Sequence, residues 1–331
     1  MRAKILDLLS GKKIDSQPAF SGLIHITTEG LEREGLVFHE IHKDAHKMAK
    51  AAASTFKLTG MPSATLPLDL CAPAEMLGAE LNFYEGGEFQ FPQVKKGLVE
   101  SAKELTKENT ESTEILDRGR LKIVCEAIGL VKIDIGRDAV ISGMIPGPYT
   151  LLLYVCNPKN LFIEMKKEPR VVINALAHLS AFLSKIAQAY LKAGADFITI
   201  HEMGGSPGFI GPAKFEQFVL PGLKQLHAKI PAPRVLSVCG NTNTSMHLLA
   251  QAGTDAISVD QMNDLAASRA LLKDKLLFGN IDPVQTLWRG DSAQVVEAVI
   301  SAKEAGVDTV WPGCDLVPST PIQNIKDMAG H

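Results

Sequence analysis

Residues 234–244 read RVLSVCGNTNT, and a distant stretch, residues 311–316, reads WPGCDL. In each, a short β-branched or apolar run ends at a glycine-flanked cysteine, Cys239 or Cys314, where an exposed loop begins. A strand that stops at a Gly-rich turn delivers its last side chain to the rim of a sheet or barrel, which is where parallel α/β proteins keep their chemistry.

Working outward, strand and helix patterns alternate on both sides of these stretches. ADFITIHEM (195–203), DAISVD (255–260), KLLFGNID (275–282) and DTVWPGCD (308–315) are short, apolar and unalternating, as expected of parallel strands covered on both faces. Helical patterns stand between them, including a long amphipathic one over 170–192 that ends at Gly194. With further strands near residues 18, 64, 139 and 234 the count is eight. Eight βα units predict a (β/α)8 TIM barrel forming a single domain over 1–331, with an N-terminal helical extension (2–10) and a lid-like insertion after the second strand (81–135). An open doubly wound sheet is the structural alternative, and no G-x-G-x-x-G or G-x-x-x-x-G-K motif accompanies it.

Composition narrows the function classes. The chain has 34 Lys and Arg against 37 Asp and Glu, a formal net charge of -3, with no basic block interleaved with aromatics, so nucleic acid is not an expected partner. No apolar run approaches the roughly 20 residues of a membrane span, and the N-terminal apolar run is short and broken by Asp7. The expected location is cytoplasmic, without a membrane partner. Five cysteines in a long chain of this kind read as thiols or metal ligands rather than a disulfide framework.

On the barrel reading the rim collects His25, Asp69, His201, Glu202, Cys239, Asp260, Asn280, Asp282, Cys314 and Asp315 at successive strand ends. Two thiols with imidazole and carboxylate nearby suit an open, catalytic zinc site. Ser237 lies two residues before Cys239 and so shares its side of the strand. Cys71, Cys125 and Cys156 read as packing residues, and His39, His42 and His46 as a solvated helix face.

At these residues the sequence resembles the uroporphyrinogen decarboxylase superfamily, and within it the cobamide methyltransferases. The motifs that carry the resemblance are ILDLLSGKKIDSQP (5–18), PLDLCAPAEMLGAEL (67–81), MIPGPYTLL (144–152), GADFITIHEMGGSPGFIGPAKFEQFVLP (194–221), VCGNT (238–242), GNIDPVQTL (279–287) and PGCDLVPSTPIQNIKDM (312–328). The resemblance implies a TIM barrel and transfer of a methyl group from a methylated corrinoid, the methylcobamide co-substrate, to a small acceptor. It further implies a thiol acceptor such as coenzyme M, activated by zinc that a H-x-C motif and a distant Cys hold. Carried over, the cysteines are Cys239 and Cys314, whereas Ser237 stands at the histidine position. Glu202, or His201 beside it, is then the expected third metal ligand. Glu202 and Asp69 are the candidate catalytic carboxylates, and His201, Asn241, Asn280 and Asp282 the candidate cofactor contacts.

The loss of the histidine leaves alternatives open. One is a tetrahydrofolate acceptor that needs no zinc, with Asp69, Asn280 and Asp282 contacting the pterin. Another is a decarboxylase-like activity, although SGLIHITTEG (21–30) lacks the arginines that would clamp substrate carboxylates. The third is a non-catalytic corrinoid or porphyrin carrier. No D-x-H-x-x-G corrinoid anchor occurs in the chain, so the donor is expected on a separate corrinoid protein that docks at the barrel mouth and the 81–135 insertion.

Overall fold

The computed structural model describes residues 1–87 and 89–330; Glu88, inside the expected insertion, and His331 lie outside the described residues. Among the described residues nine strands run in chain order: β1 (Ser63–Leu66), β2 (Leu81–Asn82), β3 (Gln93–Val94), β4 (Val140–Pro146), β5 (Phe197–Glu202), β6 (Arg234–Val238), β7 (Ala256–Val259), β8 (Leu276–Ile281) and β9 (Thr309–Pro312). Seven of them form one parallel sheet in the order β1-β4-β5-β6-β7-β8-β9, and β2 pairs antiparallel with β3 in a small hairpin. The sheet curls into a TIM-barrel-like wall with helices outside it.

The eighth strand expected near residue 18 is not a regular strand. Residues 18–25 bridge the two sheet edges instead. Ala19 pairs with Val310 in an isolated bridge, Ser21 N donates to Ser63 Oγ (3.0 Å), and His25 Nε2 lies 3.0 Å from the Ser63 carbonyl. The segment dips into the barrel at Gly22, where a Cβ would come within 2.3 Å of Thr199 Oγ1 and 2.6 Å of the Trp311 ring. A chain that turns inward at such a glycine cannot keep up a ladder with its neighbours.

The expected opening helix is Arg2–Leu9, and it plugs the N-terminal end of the barrel. Its Ile5, Leu8 and Leu9 join Phe20, Phe197, Phe278 and Trp311 in a separate apolar cluster, each side chain fully burying area worth roughly 1.5–3 kcal/mol. Arg2 fixes the plug, pairing with Asp196 (2.6 Å) and donating to the Ala139 carbonyl (3.1 Å), both residues standing just before strands. The C-terminal end is left as the way in.

The insertion is shorter than expected. Helix Leu121–Asp134 packs on Ala45–Thr59 and on Pro169–Ala193, so it belongs to the outer helical layer and the insertion proper ends near residue 120. Helix Pro169–Ala193 is long and apolar enough to cross a membrane, yet 61% of its apolar window is buried inside the protein. Sharp caps set the helix limits: Asp44 accepts from Lys47 N at one end of Ala45–Thr59, and Gly60 turns left-handed at the other.

Candidate metal centre

Strand β5 decides which side chains enter the barrel. Side chains alternate along a strand, and Phe197 at the base, Thr199 in the middle and His201 at the top share the inward face. Thr199 Oγ1 lies 2.8 Å from Ser142 Oγ of β4, forming a hydroxyl layer below the mouth. The same parity on β6 turns Val235, Ser237 and then Cys239 inward. In the ladder between the two strands, His201 is the direct partner of Ser237.

The result is a cluster of three donors. His201 Nε2 lies 3.0 Å from Cys239 Sγ, and Cys239 Sγ lies 3.5 Å from Cys314 Sγ. The three donor atoms all fall within 4.8 Å of one another. His201 Nδ1 is buried with no partner among the described residues, so no backbone carbonyl claims the ring. His25 is different: its two nitrogens face the carbonyls of Leu23 (2.6 Å) and Ser63, which fits a structural tie.

The three groups shift one another's pKa values. The hydrogen bond from Cys239 holds the Cys314 thiol far down, against burial and with help from His201. That same hydrogen bond, together with burial, pushes Cys239 up. Burial disfavours the charged form of His201, but Cys314 and Asp315 outweigh it and raise its pKa. Burial also pushes Asp315 up to about 6, with Oδ1 accepting from Ile24 N (2.7 Å). The loop behind Cys239 is pinned from two sides: Ser206 Oγ donates to the Cys239 carbonyl (2.5 Å), and Gly240 N donates to Asp260 Oδ2 (3.0 Å).

Glu202 is placed apart from the thiols. It lies on the opposite face of β5, where its carboxylate accepts from Tyr149 N (3.1 Å), Thr150 N (2.9 Å), Thr150 Oγ1 (2.5 Å) and Gly205 N (3.0 Å). Tyr149 and Thr150 open helix Pro148–Val155, so Glu202 caps that helix and complements its dipole. With both oxygens engaged in this way Glu202 lies outside the group of donor atoms that His201, Cys239 and Cys314 form.

Asp69 is likewise committed. Arg120 grips it with two bonds (2.7 and 3.1 Å), His42 Nδ1 lies 3.1 Å away, and Cys71 N donates to it (2.9 Å). Burial opposes its charge, but Arg120 and His42 hold its carboxyl well below the usual range. Arg120 is itself buried and also binds Glu75 (2.6 Å) and the His42 carbonyl (3.1 Å). The expected solvated histidine face is thus corrected at one position: His42 is fully buried in this network, while His46 is exposed.

The remaining expected contacts organise loops. Asn241 Oδ1 accepts from Asn243 N (3.1 Å), Asn280 Nδ2 donates to the carbonyls of Asp260 (3.1 Å) and Asn263 (2.9 Å), and Asp282 caps the turn of Pro283–Trp288 through Val284 N and Gln285 N. None of the three reaches the His–Cys–Cys cluster. Arg120 and Tyr154 are residues that sequence reasoning missed. Arg120 sits in a polar stretch with no motif around it, and Tyr154 lies within an apolar helix.

A cavity of about 490 Å³ is lined by Leu70, Phe91, Leu153, Tyr154, Met203 and Asp315, the last of these next in sequence to Cys314.

Residues 2–330 match the uroporphyrinogen decarboxylase (URO-D) family. The chain is 29% identical over 330 residues to the methylcobamide:CoM methyltransferase MtbA of Methanosarcina acetivorans, covering 99% of this chain and 96% of that protein. It is 30% identical over 335 residues to the methylcobamide:CoM methyltransferase MtaA of Methanosarcina barkeri, with the same shares covered. A solved methyltransferase structure from Methanosarcina mazei superposes with a TM-score of 0.94 at 27% identity, over 99% of this chain and 97% of that one. The chain belongs to the uroporphyrinogen decarboxylase family, and within it is similar to the methylcobamide methyltransferases.

Proposed function

We propose that this protein is a methyltransferase that moves a methyl group from a methylated corrinoid to a thiol, and that a zinc ion held by His201, Cys239 and Cys314 activates that thiol. The single observation that carries the zinc reading is the convergence of one imidazole nitrogen and two sulfurs within 4.8 Å. Three protein donors of this softness suit zinc and leave a fourth position for a substrate. The corrinoid donor is supported by the relatives, whose names describe transfer from a methylcobamide.

The chain's own residues prepare the reaction. Ser206 and Asp260 hold the loop on both sides of Cys239, so its sulfur is set before a ligand arrives. The plug helix and the aromatic cluster close the base, so substrates meet at the mouth. Zinc bound at the cluster favours the deprotonated form of a coordinated thiol and keeps its sulfur nucleophilic. In the transfer the methyl–cobalt(III) bond breaks heterolytically, a sulfur–methyl bond forms, cobalt(I) leaves with the electron pair, and the thiol proton passes to solvent. The methylcobamide enters as a co-substrate, as in the relatives' names.

The pterin alternative has less support. It relied on Asp69, Asn280 and Asp282 for polar contacts, and all three are engaged within the protein. The test is to follow cobalt–carbon cleavage of methylcobalamin by absorbance with a thiol and, separately, with tetrahydrofolate, before and after chelation. Methylation of the thiol alone, lost on chelation and restored by zinc, is expected. Transfer to tetrahydrofolate, or thiol methylation indifferent to chelation, would overturn the reading.

A further inference from the structure

The cavity lined by Tyr154 and Asp315 is large for a small acceptor. A two-carbon thiol sulfonate has seven heavy atoms. Even at about 30 Å³ per atom, the share a water molecule takes in the liquid, it occupies at most about 210 Å³. That is under half of the roughly 490 Å³ present. The volume lies instead in the range of about 300–1,000 Å³ that receives ligands of drug-like size.

The lining gives the chemistry. Leu70, Phe91, Leu153 and Met203 make an apolar wall, and the Tyr154 ring joins it with a hydroxyl that has no hydrogen-bond partner among the described residues. The ionisable groups are few and mostly committed. Asp69 is held by Arg120, Lys95 pairs with Glu80 (2.5 Å), and Asp315 stands at the thiol end. Lys96, on the segment after β3, has no carboxylate partner among the described residues. The cavity thus has Asp315, the sequence neighbour of Cys314, in its lining and an unpaired cation on the wall that the insertion supplies.

We propose that this cavity receives the acceptor, and that the acceptor is a thiol on an apolar or aromatic body with an anionic far end, larger than a two-carbon sulfonate. The assignment rests on the thiol-methylating reading above. The thiol end enters past Asp315 and Met203 toward Cys314. The apolar body lies against Leu70, Phe91, Leu153 and Tyr154, and the anionic end meets Lys96. An anion on a surface lysine is worth little where water screens it, so the apolar wall supplies most of the affinity and Lys96 supplies the discrimination.

The experiment separates binding from turnover. Calorimetry on zinc-loaded protein would compare 2-(methylthio)ethanesulfonate, 4-(methylthiomethyl)benzenesulfonate and neutral benzyl methyl sulfide, each a methylated product that needs no reaction. The aryl sulfonate is expected to bind at least about ten-fold more tightly than the two-carbon sulfonate. Lys96→Gln, on an exposed side chain, is expected to weaken the aryl sulfonate several-fold and leave the neutral sulfide unchanged, and Leu70→Asp to weaken both aromatic compounds. Equal or tighter binding of the two-carbon sulfonate, or an equal effect of Lys96→Gln on the charged and neutral compounds, would overturn the proposal. Aryl sulfonate binding that passes these tests while no thiol is methylated would refute the methyl-transfer reading and leave the cavity assignment standing.

Discussion

Replacing Glu202 by glutamine discriminates most sharply between the two residues that stand side by side at the end of β5. The glutamine carbonyl can keep the place of Oε1, which accepts from Thr150 N, Thr150 Oγ1 and Gly205 N, but its amide NH2 then faces Tyr149 N. One buried N–H loses its acceptor, at a cost of about 1–3 kcal/mol, and three charge-assisted bonds become neutral ones. Against this, burial already disfavours the carboxylate and raises its pKa, so removing the charge recovers part of the loss. A net destabilisation of about 2 kcal/mol follows. In urea, with a slope of about 3 kcal/mol/M, the midpoint falls by roughly 0.7 M. Zinc content, measured by elemental analysis on the same sample, stays at one ion per chain, because no donor of the His–Cys–Cys cluster has been touched. A variant that unfolds like the wild type but has lost its zinc would refute this account of Glu202 and return it to the ligand set.

Three further outcomes follow from named contacts. Arg120→Met leaves Asp69 buried without its guanidinium partner, and breaking such a pair costs about 3–5 kcal/mol; urea unfolding checks the loss, and the double variant with Asp69→Asn is expected to recover part of it. Burial lowers the pKa of His227 to about 4, below its unfolded value near 6.5. Because the folded pKa is the lower one, this contribution is complete above pH 6.5 and is lost as pH falls towards 4, by about 3 kcal/mol in all. Unfolding measured at pH 7 and pH 4.5 should show a smaller pH effect in His227→Gln than in the wild type. Finally, Ser237→His in a His201→Ala background returns an imidazole to the ladder position directly opposite, and is expected to restore metal binding that His201→Ala alone has lost; a double variant no better than the single one would count against the equivalence of the two positions.

Much of the fold was legible because unalternating apolar runs and Gly-rich strand ends recur with helices between them. Residues 18–25 were misread for a physical reason: PAFSGLIHI has the composition of a strand, but Gly22 lets it cross the barrel interior, and that is a tertiary circumstance. The two cysteines were legible from their glycine-flanked strand ends. The third donor was left between His201 and Glu202, because both faces of β5 are buried and apolar residues lie on each, so composition carries no parity signal. Its ladder register with β6 puts His201 opposite Ser237, on the face that Cys239 shares, and register is a relation between two distant segments. The Asp69–Arg120–His42 network joins residues 27 to 78 positions apart with no shared pattern, which is why the sequence shows Asp69 only as a candidate catalytic carboxylate and His42 as part of a solvated helix face.

The central claim is that the imidazole missing from β6 is supplied across the ladder from β5. It is tested most directly by the zinc affinity of His201→Ala beside that of the wild type, measured by competition with a chromophoric chelator. Loss of second-sphere partners alone weakens metal sites by about 10–100-fold, so removing a donor should weaken binding by at least about 100-fold. Zinc held by His201→Ala as tightly as by the wild type would contradict the account.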